Sequence, residues 1–253
     1  MLASQARLLT GEPLMTEEAV AALREHARRA YPQECVGAVL DDGSYQPLEN
    51  ASSSPEVTAH LSSEALLGLL QSGRLRALCH SHPDGPDAPS AQDMRSQWEM
   101  SMPFVIVSTN GEATLPPFAW GDTLVEAPLL GRPFRHGVTD CYALIRSYYR
   151  QERGVVLGDY PRDWEWWNGE ANLYEDNFSR EGFLPTDPAG IREGDVWLAA
   201  VRSKVANHAG VYLGEGLALH HASSRLAYDP ARLSKREPLA RWAPFITHWI
   251  RRD

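Results

Sequence analysis

Residues 16–30 set Ala19, Val20, Leu23 and Ala27 on one side and charges on the other, at spacings of three and four, which predicts an amphipathic helix capped by Thr16. Gly37-Ala38-Val39-Leu40 is too short for a helix and stops at Asp41-Asp42-Gly43, so it reads as a buried strand ending in a turn. A second helix fits Ser63 to Gln71, and strands fit Leu75 to His82 and Phe104 to Ser108. Between those strands, Ser90-Ala91-Gln92-Asp93 has the layout of a capping box at the head of a helix running through Trp98. Residues 112–135 lose any helical period and carry Pro116, Pro117, Pro128 and Pro133. This stretch reads as the connection between two domains.

In the second half, Asp140-Cys141-Tyr142-Ala143-Leu144-Ile145-Arg146 follows a turn containing Gly137 and opens an apolar-periodic run, placing Cys141 in the first turn of a helix. Free N–H groups and the positive helix end at that position are expected to lower the cysteine pKa and favour the nucleophilic thiolate. Residues 207–214 alternate like a half-buried strand, turn at Gly214-Glu215-Gly216, and continue into a second strand through His220-His221-Ala222. A cysteine, then a histidine, then a further polar residue on the neighbouring strand is the order of nucleophile, base and orienting group in cysteine peptidases. Adjacent strand residues point to opposite faces, so only one of His220 and His221 can face His208.

A different chemistry is suggested by His80-Ser81-His82. Two positions apart on one strand, the imidazoles project to the same face and can hold a metal. Together with Glu34 in Pro32-Gln33-Glu34-Cys35-Val36-Gly37, and with Ser90 and Asp93, the set resembles the metalloprotease motif of the JAB/MPN (Mov34) family. That resemblance implies zinc held by His80, His82 and Asp93, an open position for water, Glu34 as proton acceptor and Ser90 beside it. Ser90 and Asp93 also have a purely structural reading as the cap.

The later segment is similar to the NlpC/P60 family of cell-wall endopeptidases, through Asp140-Cys141, Gly194-Asp195-Val196 and His208-Ala209-Gly210-Val211-Tyr212-Leu213-Gly214. The resemblance implies Cys141 as nucleophile, His208 as general base and, twelve residues on, His220 as the residue that orients the imidazole. It implies the peptide stems of peptidoglycan as substrate. The expected fold is therefore α/β and α+β: a JAB/MPN-like sheet with flanking helices over residues 1–112, a Pro-rich connection over 113–135, and a papain-like NlpC/P60 domain over 136–253. The order of the two modules is similar to a family of tail-tip components of lambda-like long-tailed phages. That implies other tail-tip proteins as partners, a place in the virion after synthesis in the host cytoplasm, and action in the host periplasm and cell wall.

Composition adds bounds. The 253 residues suit two domains, each able to bury a core. A net charge of −9 with interspersed signs indicates neither a nucleic-acid footprint nor an anionic-membrane surface. No transmembrane stretch and no basic-then-apolar leader is visible. Three cysteines without an evident pairing argue against a disulfide framework, and Cys35 and Cys79 read as small buried residues. Trp164, Trp166 and Trp167, within a segment of residues 159–184, can either stack on a ligand or partner near Cys141 or wrap the core. Two competing functions remain: a structural tail-tip component with vestigial sites, and an amidase or acyltransferase that keeps the Cys141 chemistry on another substrate.

Overall fold

Thr16 Oγ1 accepts the Ala19 amide at 3.1 Å and starts helix α1, Glu17–Ala30, which buries Ala19, Leu23 and Ala27. In the computed structural model, which describes residues 1–253, contacts divide the chain into two compact units: residues 1–87 with 96–126, and residues 88–95 with 127–253. Strands β1, Val36–Leu40, and β2, Tyr45–Leu48, form an antiparallel hairpin across the Asp41-Asp42-Gly43 turn, with Gly43 at a φ of 77°. Helix α2, Ser63–Ser72, is capped by Ser62 and ends at Gly73, whose φ of 66° suits the left-handed region that glycine adopts freely. Strand β3, Leu75–Pro83, helix α3, Ala91–Met100, and strand β4, Phe104–Thr109, follow. β3 and β4 are parallel, as a connection through a helix allows.

Strand β5, Phe118–Trp120, completes a five-stranded sheet in the order β2-β1-β3-β4-β5. It lies within the stretch expected to be a connection. Its three residues are all buried and pair antiparallel with β4, and a run of three is too short to display a period.

The second unit begins with β6, Pro133–Arg135, and helix α4, Cys141–Arg153, and continues with β7, Leu184–Pro185. Strands β8, Val196–Ala199, β9, His208–Tyr212, and β10, Leu217–His220, follow. The last strands are β11, Tyr228–Leu233, β12, Lys235–Pro238, and β13, Ile246–Arg251. Six of these form an antiparallel sheet in the order β12-β10-β9-β8-β13-β7, while β6 pairs with β11. Val196, Leu198, Ala209, Val211 and Leu219 share a core with Leu144, Ile145 and Tyr148 of α4. The alternate residues Trp197, Ala199 and Ala218 pack with Trp249 and Trp242. Both faces of β9 are therefore covered, which corrects the half-buried reading of its alternation: His208 through Val211 are buried, and His208 pairs with His220, not with solvent. No helix is long and apolar enough to cross a membrane.

Gly210 explains how that second face closes. A Cβ there would lie 2.4 Å from Trp197 Cζ2 and 2.6 Å from the Leu219 carbonyl oxygen, and the carbonyl cannot swing aside. Gly210→Ala should destabilise the second unit by about 1–3 kcal/mol through overpacking, read as a lower urea midpoint. An unchanged midpoint would mean that the strands separate there without strain.

Candidate functional site

Asp140 fixes where Cys141 sits. Its carboxylate accepts the Ala143 amide at 2.9 Å and the Gly137 amide at 2.8 Å, capping α4 and closing the preceding turn. The Arg162 guanidinium grips both carboxylate oxygens at 3.0 and 2.9 Å, and both side chains are buried. Burial opposes the charge on Asp140, but Arg162, His136 and the two amides outweigh it and hold the carboxyl at about 2.

Cys141, at the head of α4, is 9% exposed. Its Sγ lies 3.2 Å from the Tyr174 hydroxyl. The expectation of a thiolate favoured by the helix end is overturned: burial, with the negative Asp140 next to it, pushes the thiol up to about 11, beyond what the bonds from Tyr174 and the Ala209 amide recover. Loss of water around sulfur is the largest effect on this thiol. The group rests as a neutral thiol, which would need a base to act as a nucleophile.

His208 opens β9 one residue before Ala209. Its Nε2 is 3.2 Å from His220 Nδ1, and His220 Nε2 is 2.6 Å from Glu237 Oε1. His208 Nδ1 is buried with no hydrogen-bond partner, so the structure joins His208 to His220 but makes no hydrogen bond between His208 and the Cys141 thiol. Burial and the neighbouring His220 and His221 hold His208 well below the usual imidazole range, and burial lowers His220 to about 4. Both rings are neutral at physiological pH. Of the adjacent pair, His220 faces His208; His221 Nε2 donates to the Arg232 carbonyl at 2.9 Å, and its ring meets Phe134 edge-on. Tyr174 and Glu237 escaped the sequence reading. Tyr174 sat in an aromatic-rich segment with two readings, and Glu237 lies in Lys235-Arg236-Glu237-Pro238, a charge run that by itself suggests a solvated edge.

The aromatic segment serves both readings at once. Leu173 and Tyr174 enter the core with α4, Trp166 packs against it, and all three line a pocket with Cys141, Trp164, Trp167 and Arg162.

In the other half of the chain, Val36 pairs with His80, and Cys35 O accepts the Ser81 amide, so buried Glu34 precedes β1 alongside the histidine-bearing end of β3. His80 Nε2 and His82 Nε2 lie 3.1 Å apart. Two imidazoles bound to one tetrahedral zinc at ~2.05 Å would have nitrogens about 3.3 Å apart, so the pair fits a metal edge. His82 Nδ1 is 3.1 Å from the Pro86 carbonyl, an acceptor that fixes its proton on Nδ1 and makes Nε2 the candidate ligand atom. His80, His82 and Asp93 each offer a ligand atom, all within 4.8 Å of one another. Asp93 also completes the capping box: its Oδ2 accepts the Ser90 amide at 2.8 Å and hydroxyl at 2.7 Å, and its own amide donates to Ser90 Oγ at 3.1 Å. The donor set fits zinc.

The Asp140 anchor has a measurable signature. With the folded carboxyl near 2 against 3.8 for the free group, its contribution is complete above about pH 4 and is lost as pH falls toward the folded value. The difference is on the order of 2 kcal/mol. Urea unfolding at about pH 5 and pH 2.5 should show a larger acid loss in the wild type than in Asp140→Asn; equal losses would place the acid sensitivity elsewhere.

Residues 16–120 match the prokaryotic homologs of the JAB domain, and residues 117–238 match the NlpC/P60 family. The tail tip assembly protein K of Escherichia phage N15 is 35% identical over 223 residues, covering 84% of this chain and 88% of that protein. Its counterpart in Escherichia phage lambda is 37% identical over 177 residues, covering 70% and 81%. Among solved structures, the NlpC/p60 domain of peptidoglycan hydrolase SagA is similar with a TM-score of 0.31 and 16% identity over 49% of this chain and 89% of that one. A mixed helix-and-sheet chain with a JAB-type module ahead of an NlpC/P60 module, and relatives matched over most of their length, belongs to the family of phage tail tip assembly protein K.

Proposed function

We propose that this tail component hydrolyses amide bonds in the peptide stems of peptidoglycan, opening the wall at the tail tip during envelope penetration. Residues 136–253 carry that activity. The observation that supports it best is Cys141 at a capped helix head, beside a pocket edged by three tryptophans, with a buried and neutral His208 one residue from the amide that reaches its sulfur. Cys141 is the nucleophile, His208 the general base and His220 the orienting residue. The thiol proton passes to His208 Nδ1 as Sγ bonds to the amide carbonyl carbon. The carbon–nitrogen bond then breaks as His208 returns the proton to the leaving amine, giving a thioester. Water attacks the thioester, His208 takes its proton, and the acid leaves as the thiol is restored. First-turn amides of α4 other than that of Ala143, which Asp140 takes, would supply donors for the oxyanion. An amidase or acyltransferase would share these steps and differ in the acceptor or bond.

His80, His82 and Asp93 would hold zinc in the first module, where Lewis-acid activation is the chemistry such an ion supplies. Glu34 would serve as proton acceptor, with Ser90 beside it. In a second reading, Ser90 and Asp93 serve only as the capping box, and this module docks onto other tail-tip proteins and catalyses nothing.

Cys141→Ala and His208→Ala should each abolish release of stem fragments from isolated sacculi, and the double variant should be no worse than either single one. Wild-type rates in the Cys141→Ala protein would sink the cysteine mechanism. Elemental analysis of protein purified without chelators should find about one zinc per chain, absent from a His80→Ala, His82→Ala double variant that still cuts sacculi. Metal-free wild type would leave the docking reading standing.

A further inference from the structure

Glu237 lies opposite Ala218 in the β10–β12 ladder, two residues along the same face from His220. His220 in turn stands opposite Gly210, on the face that His208 shares. Gly210 and Ala218 are small: Trp197 lies over Gly210, and Trp242 packs against the cluster of Trp197 and Ala218, its ring centroid 4.5 Å from that of His208 and 4.7 Å from that of His220. The indole stacks on Trp197 at 5.3 Å and donates its Nε1–H to Glu237 Oε1 at 2.9 Å. On the other oxygen, Lys235 Nζ and Arg241 Nη1 each donate to Oε2 at 2.9 Å. With the bond from His220, four donors converge on one carboxylate, the full capacity of the group.

That satisfaction has a directional result. A carboxylate only accepts, so His220 Nε2 must carry a proton, and a neutral His220 then has a bare Nδ1. Nδ1 can only accept, so His208 Nε2 must carry its proton and donate. The one imidazole atom left bare is His208 Nδ1, which is also the buried atom without a partner. We infer that Glu237 is a positioning residue of the Cys141 site, fixing the protons of His220 and His208 in turn so that His208 presents Nδ1 as the base. The inference rests on the proposed Cys141–His208 chemistry for its catalytic meaning, but its proton arrangement can be read without any turnover. When His208 takes the thiol proton, the same carboxylate offsets the charge one ring away.

The test reads both levels in the full chain. Side-chain 15N NMR of the wild type should show His208 and His220 both protonated on Nε2. In Glu237→Ala, His220 should populate the Nδ1–H form and His208 should follow. Turnover of a soluble stem-peptide substrate should fall at least about tenfold in kcat, with KM within about twofold, because nothing touching substrate has changed. Glu237→Gln keeps the volume and controls for folding: it should lose kcat through the missing charge while its circular dichroism and urea midpoint stay close to wild type. An Nδ1–H His220 in the wild type would overturn the inference, as would a Glu237→Ala protein with both protons in place and an unchanged kcat. If instead Cys141→Ala retains activity while the protons shift as described, the peptidase reading fails and the arrangement set by Glu237 stands.

Discussion

One buried carboxylate holds the second unit's chemistry in place. Asp140 accepts from Gly137 before the helix, from Ala143 inside it, and from Arg162 some twenty residues on. A single group thereby closes a turn, starts a helix and ties down the loop that carries Trp164, Trp166 and Trp167. Removing one partner of such a pair leaves an uncompensated charge out of water, which typically costs about 3–5 kcal/mol. The residue before Cys141 is thus the reason that Cys141 can be placed at all.

The same burial that makes the anchor strong decides the form of the proposed pair, Cys141 and His208. Out of water, a thiol resists losing a proton and an imidazole resists gaining one, so the buried Cys141 rises and the buried His208 falls. Their ground state is neutral. Charge appears only when the proton moves, and groups that favour the moved state then act on the barrier and not on resting affinity. The proposed chemistry is consistent with the arrangement, in which His220 and Glu237 lie behind Nε2 of His208 while its Nδ1 has no hydrogen-bond partner. A ground-state bond from another donor to Nδ1 would have to be broken before the thiol could use it.

Much of the architecture was legible along the chain, and the exceptions share a cause. α1, with its stripe and Thr16 cap, and α4, with its Asp140 cap, declared themselves because caps and periodicity are local. β9 and β10 were visible through alternation and the Gly214-Glu215-Gly216 turn. β5 and β6 are three residues each, too short to carry a period, and their identity comes from partners far along the chain. Glu237 was hidden for a related reason: its meaning depends on His220, seventeen residues away, and on Trp242 covering both. The direction of the Cys141 shift was misread because the helix end is a local feature of the sequence, whereas exclusion of water is a property of the packed unit.

At Ser90 and Asp93 the sequence offered two explanations, a cap and a ligand, and the geometry shows why they need not compete. The capping bonds converge on Oδ2 of Asp93. The cap also freezes the side chain against the helix, removing rotamer freedom that a ligand would otherwise have to lose on binding an ion. A carboxylate already fixed within 4.8 Å of two converging imidazole nitrogens is better prepared for a cation than a mobile one. The structural role of the capping box is thus compatible with the proposed metal-binding role and would lower its entropic cost, so the presence of a cap is no argument against the site.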